Sequence, residues 1–151
     1  MTRRRALALL LALAAPAPAC GRKGPPLPPR PAVPVAVGEL RAEPQGESVL
    51  LSWRRPARNQ DGSPLTDLLE FRLFRSSAEP AGAPGEFGPL ATVRADAPQN
   101  AVLRGDRYAF LDDNRGQGLR PGVRYTYRLQ PVNRRGRAGS PAETALTLPE
   151  P

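Results

Sequence analysis

The sequence predicts an all-β chain folded as a single β-sandwich, and three observations lead there. Short runs alternate apolar and polar residues at period two, as in "ESVLLSW", where Val49, Leu51 and Trp53 share one face. Turn residues separate such runs every ten to twenty positions or so, at about the spacing of a sandwich. No apolar pattern after Gly38 holds a 3.6-residue period long enough for a helix. Twenty prolines and fourteen glycines fit a chain of linkers and tight turns. A domain of about 110 residues buries roughly 60–70% of its unfolded surface, enough to fold without a staple.

The amino-terminal residues 1–19 read as an export signal. Arg3, Arg4 and Arg5 form a basic start, residues 6–15 are apolar, and small residues follow. About ten helical residues rise roughly 15 Å, half of a bilayer's hydrocarbon core, so the run does not span a membrane. Cys20 closes the segment. It is the chain's one cysteine and the chain has no histidine, so it forms no internal disulfide and marks an attachment point. Ala17, Pro18, Ala19, Cys20 and Gly21 resemble the bacterial lipobox, with Ala17 where that family usually carries leucine. The resemblance implies acylation of Cys20, and Gly21 in place of an aspartate implies sorting to the outer membrane. One acyl chain binds a bilayer only marginally, whereas two or more anchor stably. Ordinary cleavage after Ala19 is the alternative, and it gives a soluble periplasmic protein with a thiol.

Residues 20–38 are expected to be a tether. "GPPLPPRPAVPV" carries six prolines, which fix φ and remove backbone donors. Polyproline II at about 3.1 Å per residue is the default there. The start "CGRKGPPLPP" also resembles a family of very small outer-membrane lipoproteins that assist assembly of the lipopolysaccharide translocon. That resemblance rests on Cys20, Gly21, Lys23, Gly24 and Pro25, and it implies an accessory translocon role.

The domain is placed at residues 39–149. After the strand that ends at Trp53, "RNQDGSP" reads as a turn at Asp61 and Gly62. "FRLFR" sets Phe71 and Leu73 on one face, with Arg72 and Phe74 on the other. Residues 77–107 are rich in Gly, Pro and Ala, and residues 90–94 and 108–111 read as strands. "YTYRL" sets Tyr125, Tyr127 and Leu129 on one face. Pro131 lies in this strand and is expected to break or bulge its ladder.

Leu51, Ser52, Trp53 and Pro56, with "LRPGVRYTYRLQPVNRRGRAGSPAE", resemble fibronectin type III domains over about 110 residues. The resemblance implies that Trp53 fills the core. It also implies that Leu119, Pro121, Gly122 and Tyr125 form a tyrosine corner, the hydroxyl bonding backbone a few residues upstream.

Function is expected to be binding or scaffolding. The formal charge of +8 includes three arginines of the export signal. Without them nineteen basic residues face fourteen acids, a balance of +5. These arginines are scattered among acids, with no groove motif or aromatic run to point to nucleic acid. Arg104, Gly105 and Asp106 spell an RGD tripeptide, expected to be a coincidental turn. Asp112, Asp113 and Asn114 lack the spaced ligands of a calcium loop and are expected to form a hydrated turn. Without histidine or a glycine-flanked serine, no catalytic residue, metal or cofactor is expected; Asp67 with Glu70 reads as a chance pair. Arg134, Arg135 and Arg137 are the candidate contact residues, with forks suited to phosphate or carboxylate. The expected partners are a membrane through the lipid anchor and a protein, cell-wall or lipopolysaccharide component of the periplasm.

Overall fold

The computed structural model describes residues 24–78 and 81–151, so the export signal and Cys20 lie outside the described residues. Eight strands follow in order: β1 Gly38–Gln45, β2 Ser48–Arg54, β3 Leu68–Ala78, β4 Gly88–Arg94, β5 Val102–Arg104, β6 Arg107–Asp112, β7 Arg124–Asn133 and β8 Ala142–Thr147. They form two four-stranded antiparallel sheets, ordered β1-β2-β6-β5 and β4-β3-β7-β8. This is the all-β sandwich that the alternation predicts, with the two-sheet arrangement that the resemblance to fibronectin type III domains implies. The expected strands at 90–94 and 108–111 are β4 and β6, and the short β5 was not anticipated.

The core follows from period-two alternation. Val49, Leu51 and Trp53 of β2 face Phe71 and Leu73 of β3 and Tyr127 and Leu129 of β7, all essentially buried. Trp53 stacks on Tyr108, its cross-strand partner in β6, at 5.5 Å between ring centroids and 8° between planes. Phe71 reaches in from the other sheet and meets both rings edge-on, at 5.4 Å from Trp53 and 4.7 Å from Tyr108. Each such pair contributes about 0.5–1.5 kcal/mol beyond the area it buries. The Trp53 Nε1–H is buried with no partner among the described residues, so the site holds the ring for its faces.

The edges are tied by polar contacts. Leu119 is buried, and Gly122, at φ 72°, donates its N–H to the Leu148 carbonyl at 2.8 Å. The Tyr125 hydroxyl accepts from the Arg120 N–H at 2.9 Å, while Pro121 stays exposed. Pro131 corrects the expected break. It pairs with Phe71 inside an unbroken part of the β3–β7 ladder, and the bulge falls between Leu68 and Glu70 of β3. The Pro131 carbonyl accepts from Gly139 at 2.8 Å, on the side away from β3. A residue's N–H and C=O point the same way in a strand, so the missing donor would also have faced Gly139. The β7–β8 ladder has already ended there, at Leu129 and Ala142.

The tether does not run free to residue 38. Pro34 is buried and forms a bridge with Asn59, flanked by Val35 N–H to Arg58 O at 3.2 Å and Gln60 N–H to Val33 O at 2.8 Å. On its other side the Pro34 carbonyl accepts from Ser140 at 3.3 Å. Val37 joins the core. Residues 33–37 are therefore part of the sandwich, because the gap between two loops satisfies their backbone. Residues 24–32 are exposed, burial begins at Val33, and the core lies wholly between Val37 and Leu148. A chain that starts at Gly24 thus holds the complete described sandwich.

Gly139 makes the tether seat possible, since a Cβ there would overlap the Pro34 carbonyl. Gly139→Ala is expected to cost about 1–3 kcal/mol, the usual range for overpacking. It should also release residues 33–36, seen as faster amide exchange at Val35 and Gln60 than at β2. Unchanged exchange at these two amides would show that the seat does not depend on this close approach.

Candidate functional site: the arginine-bearing loops

The strand directions put the end of β2, the starts of β3 and β6, the end of β7 and the tether at one end of the sandwich. Here the 133–141 loop is shaped by its first residue. Asn133 is buried, and its Oδ1 accepts from the N–H groups of Arg135 at 3.1 Å and Arg137 at 2.9 Å. Gly136, at φ 73°, closes the turn by donating to the Asn133 carbonyl at 2.9 Å. This short path leaves Arg134, Arg135 and Arg137 exposed.

The three candidate arginines are not equivalent. Arg134 donates its N–H to the Asp67 carbonyl at 2.7 Å, and its guanidinium meets Asp96 at 3.0 Å. Asp96 also holds Arg55 at 3.1 Å. Arg55 in turn reaches the Tyr108 hydroxyl at 3.4 Å, which donates to the Ala95 carbonyl. A chain of contacts therefore runs from the aromatic core to the loop. Arg135 and Arg137 have no carboxylate within salt-bridge distance among the described residues, nor do Arg30, Arg58 and Arg104 at the same end.

The acids of this end are largely occupied. Glu39, in the left-handed region at φ 51°, sits in the β1 bulge and bonds Arg54 at 3.2 Å and Arg107. The Arg107 hydrogen bond holds its carboxyl below the usual carboxylate range. The RGD tripeptide forms the β5–β6 turn, with Gly105 at φ 62°. Its Asp106 is paired with Arg54 at 2.9 Å. Asp61 accepts from the Ser63 N–H and hydroxyl, which lowers its pKa and fixes the expected turn at Gly62, φ 87°.

At the opposite end the expected turn begins only after Asp112: Gly116 donates to the Asp113 carbonyl at 3.1 Å, whereas Asp112 closes β6. Asp112 is buried, its side chain 1% exposed, and Arg75 contacts both of its oxygens at 2.9 Å. The Tyr127 hydroxyl donates to the same carboxylate at 2.9 Å and the Asn114 N–H at 3.2 Å. Arg75 also holds Asn114 Oδ1 at 3.1 Å, fixing Asn114 and Arg115 in left-handed conformations at φ 53° and 58°. These residues line a cleft of about 300 Å³. Asp112 is the last residue of β6 with an inward phase, a signal the acidic triplet concealed. Glu70, of the chance pair, is engaged by Arg72 at 3.1 Å and Arg94 at 3.8 Å. Among the described residues, no group of three or more acidic, histidine or cysteine side chains is placed to hold a metal.

Neither a family model nor a curated protein matches the chain. Solved structures do. The chain is similar to part of astrotactin-2, a vertebrate-specific, perforin-like membrane protein involved in neuronal development, at 18% identity and a TM-score of 0.55. It is also similar to part of the twitchin kinase region from C. elegans (Fn31-NL-kin-CRD-Ig26), at 21% identity and a TM-score of 0.51. The matches cover 79% and 78% of this chain but 22% and 17% of those chains, respectively. The third fibronectin III domain of human KIAA0343 protein matches at 15% identity, 87% of this chain, 95% of that one and a TM-score of 0.49. At these identities the likeness is one of fold.

Two predictions follow the polar ties. Arg75→Met is expected to lose about 3–5 kcal/mol, because the Asp112 carboxylate is left buried and unpaired. Adding Asp112→Leu should recover part of that loss in urea unfolding followed by Trp53 fluorescence. A double variant less stable than Arg75→Met would show that Tyr127 and Asn114 hold the Asp112 carboxylate without Arg75, and that the loss has another cause. The second concerns alkali. Burial, and then the Asp112 carboxylate, raise the Tyr127 pKa above its ordinary 10.0, and burial raises that of Tyr108. The stability held in these neutral phenols is complete below pH 10 and lost as pH rises above it. Tyrosinate absorbance from these two residues should appear only together with unfolding.

Proposed function

We propose that this chain is a lipid-anchored binding module, acylated at Cys20 and displayed at the periplasmic face of the outer membrane, which works by contact rather than catalysis. The observation that carries this reading is the seating of residues 33–37 between the 57–60 and 139–140 backbones. That seat ties the anchor side of the chain to the end bearing Arg134, Arg135 and Arg137. The seat sets the end of the sandwich at which the tether joins it.

A second reading has its own support. Residues 24–32 are exposed and form no bond with the sandwich before Val33, so Gly24 and Pro25, the described residues of the start that resembles the translocon lipoproteins, are open to a partner. In that case a lipopeptide ending near Pro34 co-purifies with the lipopolysaccharide translocon, and the sandwich is accessory. Failure of the lipopeptide to co-purify would return the role to the domain.

The anchor itself is tested by the intact mass of the mature protein from membranes of a proteobacterial host. The expected mass is that of residues 20–151 plus diacylglyceryl and N-acyl groups, with Cys20→Ser shifting the protein out of the membrane fraction. The bare peptide mass from soluble periplasm would overturn the anchor and leave a soluble periplasmic protein.

A further inference from the structure

The distribution of charge along the sandwich is uneven in a way that the fold does not need. At the tether-bearing end, Glu39, Asp96 and Asp106 are each consumed by arginines of the sandwich: Arg54, Arg55, Arg107 and Arg134. Arg30, Arg58, Arg104, Arg135 and Arg137 remain exposed there without a carboxylate partner among the described residues. Only Asp61 and Asp67 are left beside them without an arginine partner. At the far end, exposed Glu47, Glu86 and Glu150 stand near exposed Arg115, Arg120 and Arg124, so the signs are mixed. Unpaired positive charge is thus gathered at one end.

That end also has a groove. Pro29, Arg30 and Val35 of the tether and residues 58–62 enclose an open cleft of about 640 Å³, with Arg30 on one wall and Arg58 on the other. Arg58 is steadied by the Gly62 carbonyl at 3.3 Å. The lining combines the guanidinium groups of Arg30 and Arg58 and the apolar side chains of Pro29 and Val35 with one carboxylate, Asp61, so its balance stays positive toward a headgroup phosphate. Arginine forks bind phosphate oxygens in pairs and are more weakly hydrated than lysine.

We propose that this end of the sandwich docks on an anionic phospholipid surface, with Arg30, Arg58, Arg104, Arg135 and Arg137 contacting headgroup phosphates. The chain's own geometry favours a bilayer over a protein partner. If Cys20 carries the anchor, the twelve or so residues from 21 to 32 reach at most about 40 Å as polyproline II. The tether then joins the domain at its arginine-bearing end, which brings that end within reach of the bilayer. Each basic residue within about a Debye length of an anionic surface adds roughly fivefold to the partition. Five of them outweigh two acids. Orientation by the tether rests on the lipoprotein reading; attraction to the headgroups does not.

The test uses residues 24–151 without any acyl group. Binding is followed by co-sedimentation with vesicles of phosphatidylcholine alone, or with about one part in four of phosphatidylglycerol. Binding is expected only to the anionic vesicles, weakening as salt rises. Arg104→Glu with Arg135→Glu and Arg137→Glu should lower it at least about tenfold, from the loss of three such contributions. The near-ultraviolet spectrum of Trp53 and Tyr108 reports that the variant is folded, and Arg115→Glu with Arg124→Glu at the far end should leave binding intact. Equal binding to both vesicles, no binding to anionic vesicles at low salt, or unchanged binding by the folded triple variant would overturn the proposal. So would complete competition by millimolar inorganic phosphate at constant ionic strength, which would assign the site to small anions. Because no acyl chain is present, a bare peptide mass at Cys20 would sink the anchor without touching this result.

Discussion

Trp53 lies flat on Tyr108 and edge-on to Phe71, and most of what distinguishes the two ends of this protein depends on that three-ring contact. The rings come from both sheets, so they fix the spacing between layers at the point where β2, β3 and β6 cross. Tyr108 then extends the order outward. Its hydroxyl bonds the Ala95 carbonyl and meets Arg55, Arg55 holds Asp96, and Asp96 holds Arg134. The exposed members of this chain are individually weak, since surface ion pairs contribute about 0–1 kcal/mol each. Their value lies in being anchored to a buried ring. An arginine loop hung on flexible backbone would lose most of its binding energy to ordering.

Much of the fold is legible in the sequence, because period-two alternation reports which face a sheet buries. Val49, Leu51 and Trp53 are predicted and found together, as are Phe71 and Leu73. What escapes are features set by a distant partner. Asp112 looks like part of a hydrated triplet until Arg75, thirty-seven positions away, is seen closing on its carboxylate. The short β5 has three residues and exists only as the partner of β6. The candidate arginines are legible as a group, yet nothing local separates Arg134, bound to Asp96, from Arg135 and Arg137, which have no carboxylate partner among the described residues.

The prolines mark the same divide between local and distant information. Read locally, Pro131 and Pro34 both argue against pairing, since each lacks an N–H. Both are nevertheless paired, at positions where the missing donor is not called upon. Pro131 turns its polar edge to Gly139, beyond the end of the β7–β8 ladder. Pro34 sits between two bonds that its neighbours make, Val35 N–H to Arg58 and Gln60 N–H to Val33. A strand alternates the side to which successive residues point their polar groups, so a proline removes a bond only on one side. Which side that is depends on register, and register belongs to the fold.

The seat of Pro34 therefore bears on function as well as on stability. Proline there fixes φ before folding, so ordering the last tether residues costs less conformational entropy than it would for other residues. Gly139 supplies the space and Ser140 the donor, joining the tether to the loop that presents Arg135 and Arg137. A tether joined at the far end would carry those arginines away from anything near its start. Joined here, it leaves them at the same end of the sandwich as Arg30 and Arg58. The interplay of a stiff approach, a glycine-sized gap and acids already spent on neighbouring arginines is what turns a modest net charge into a local one.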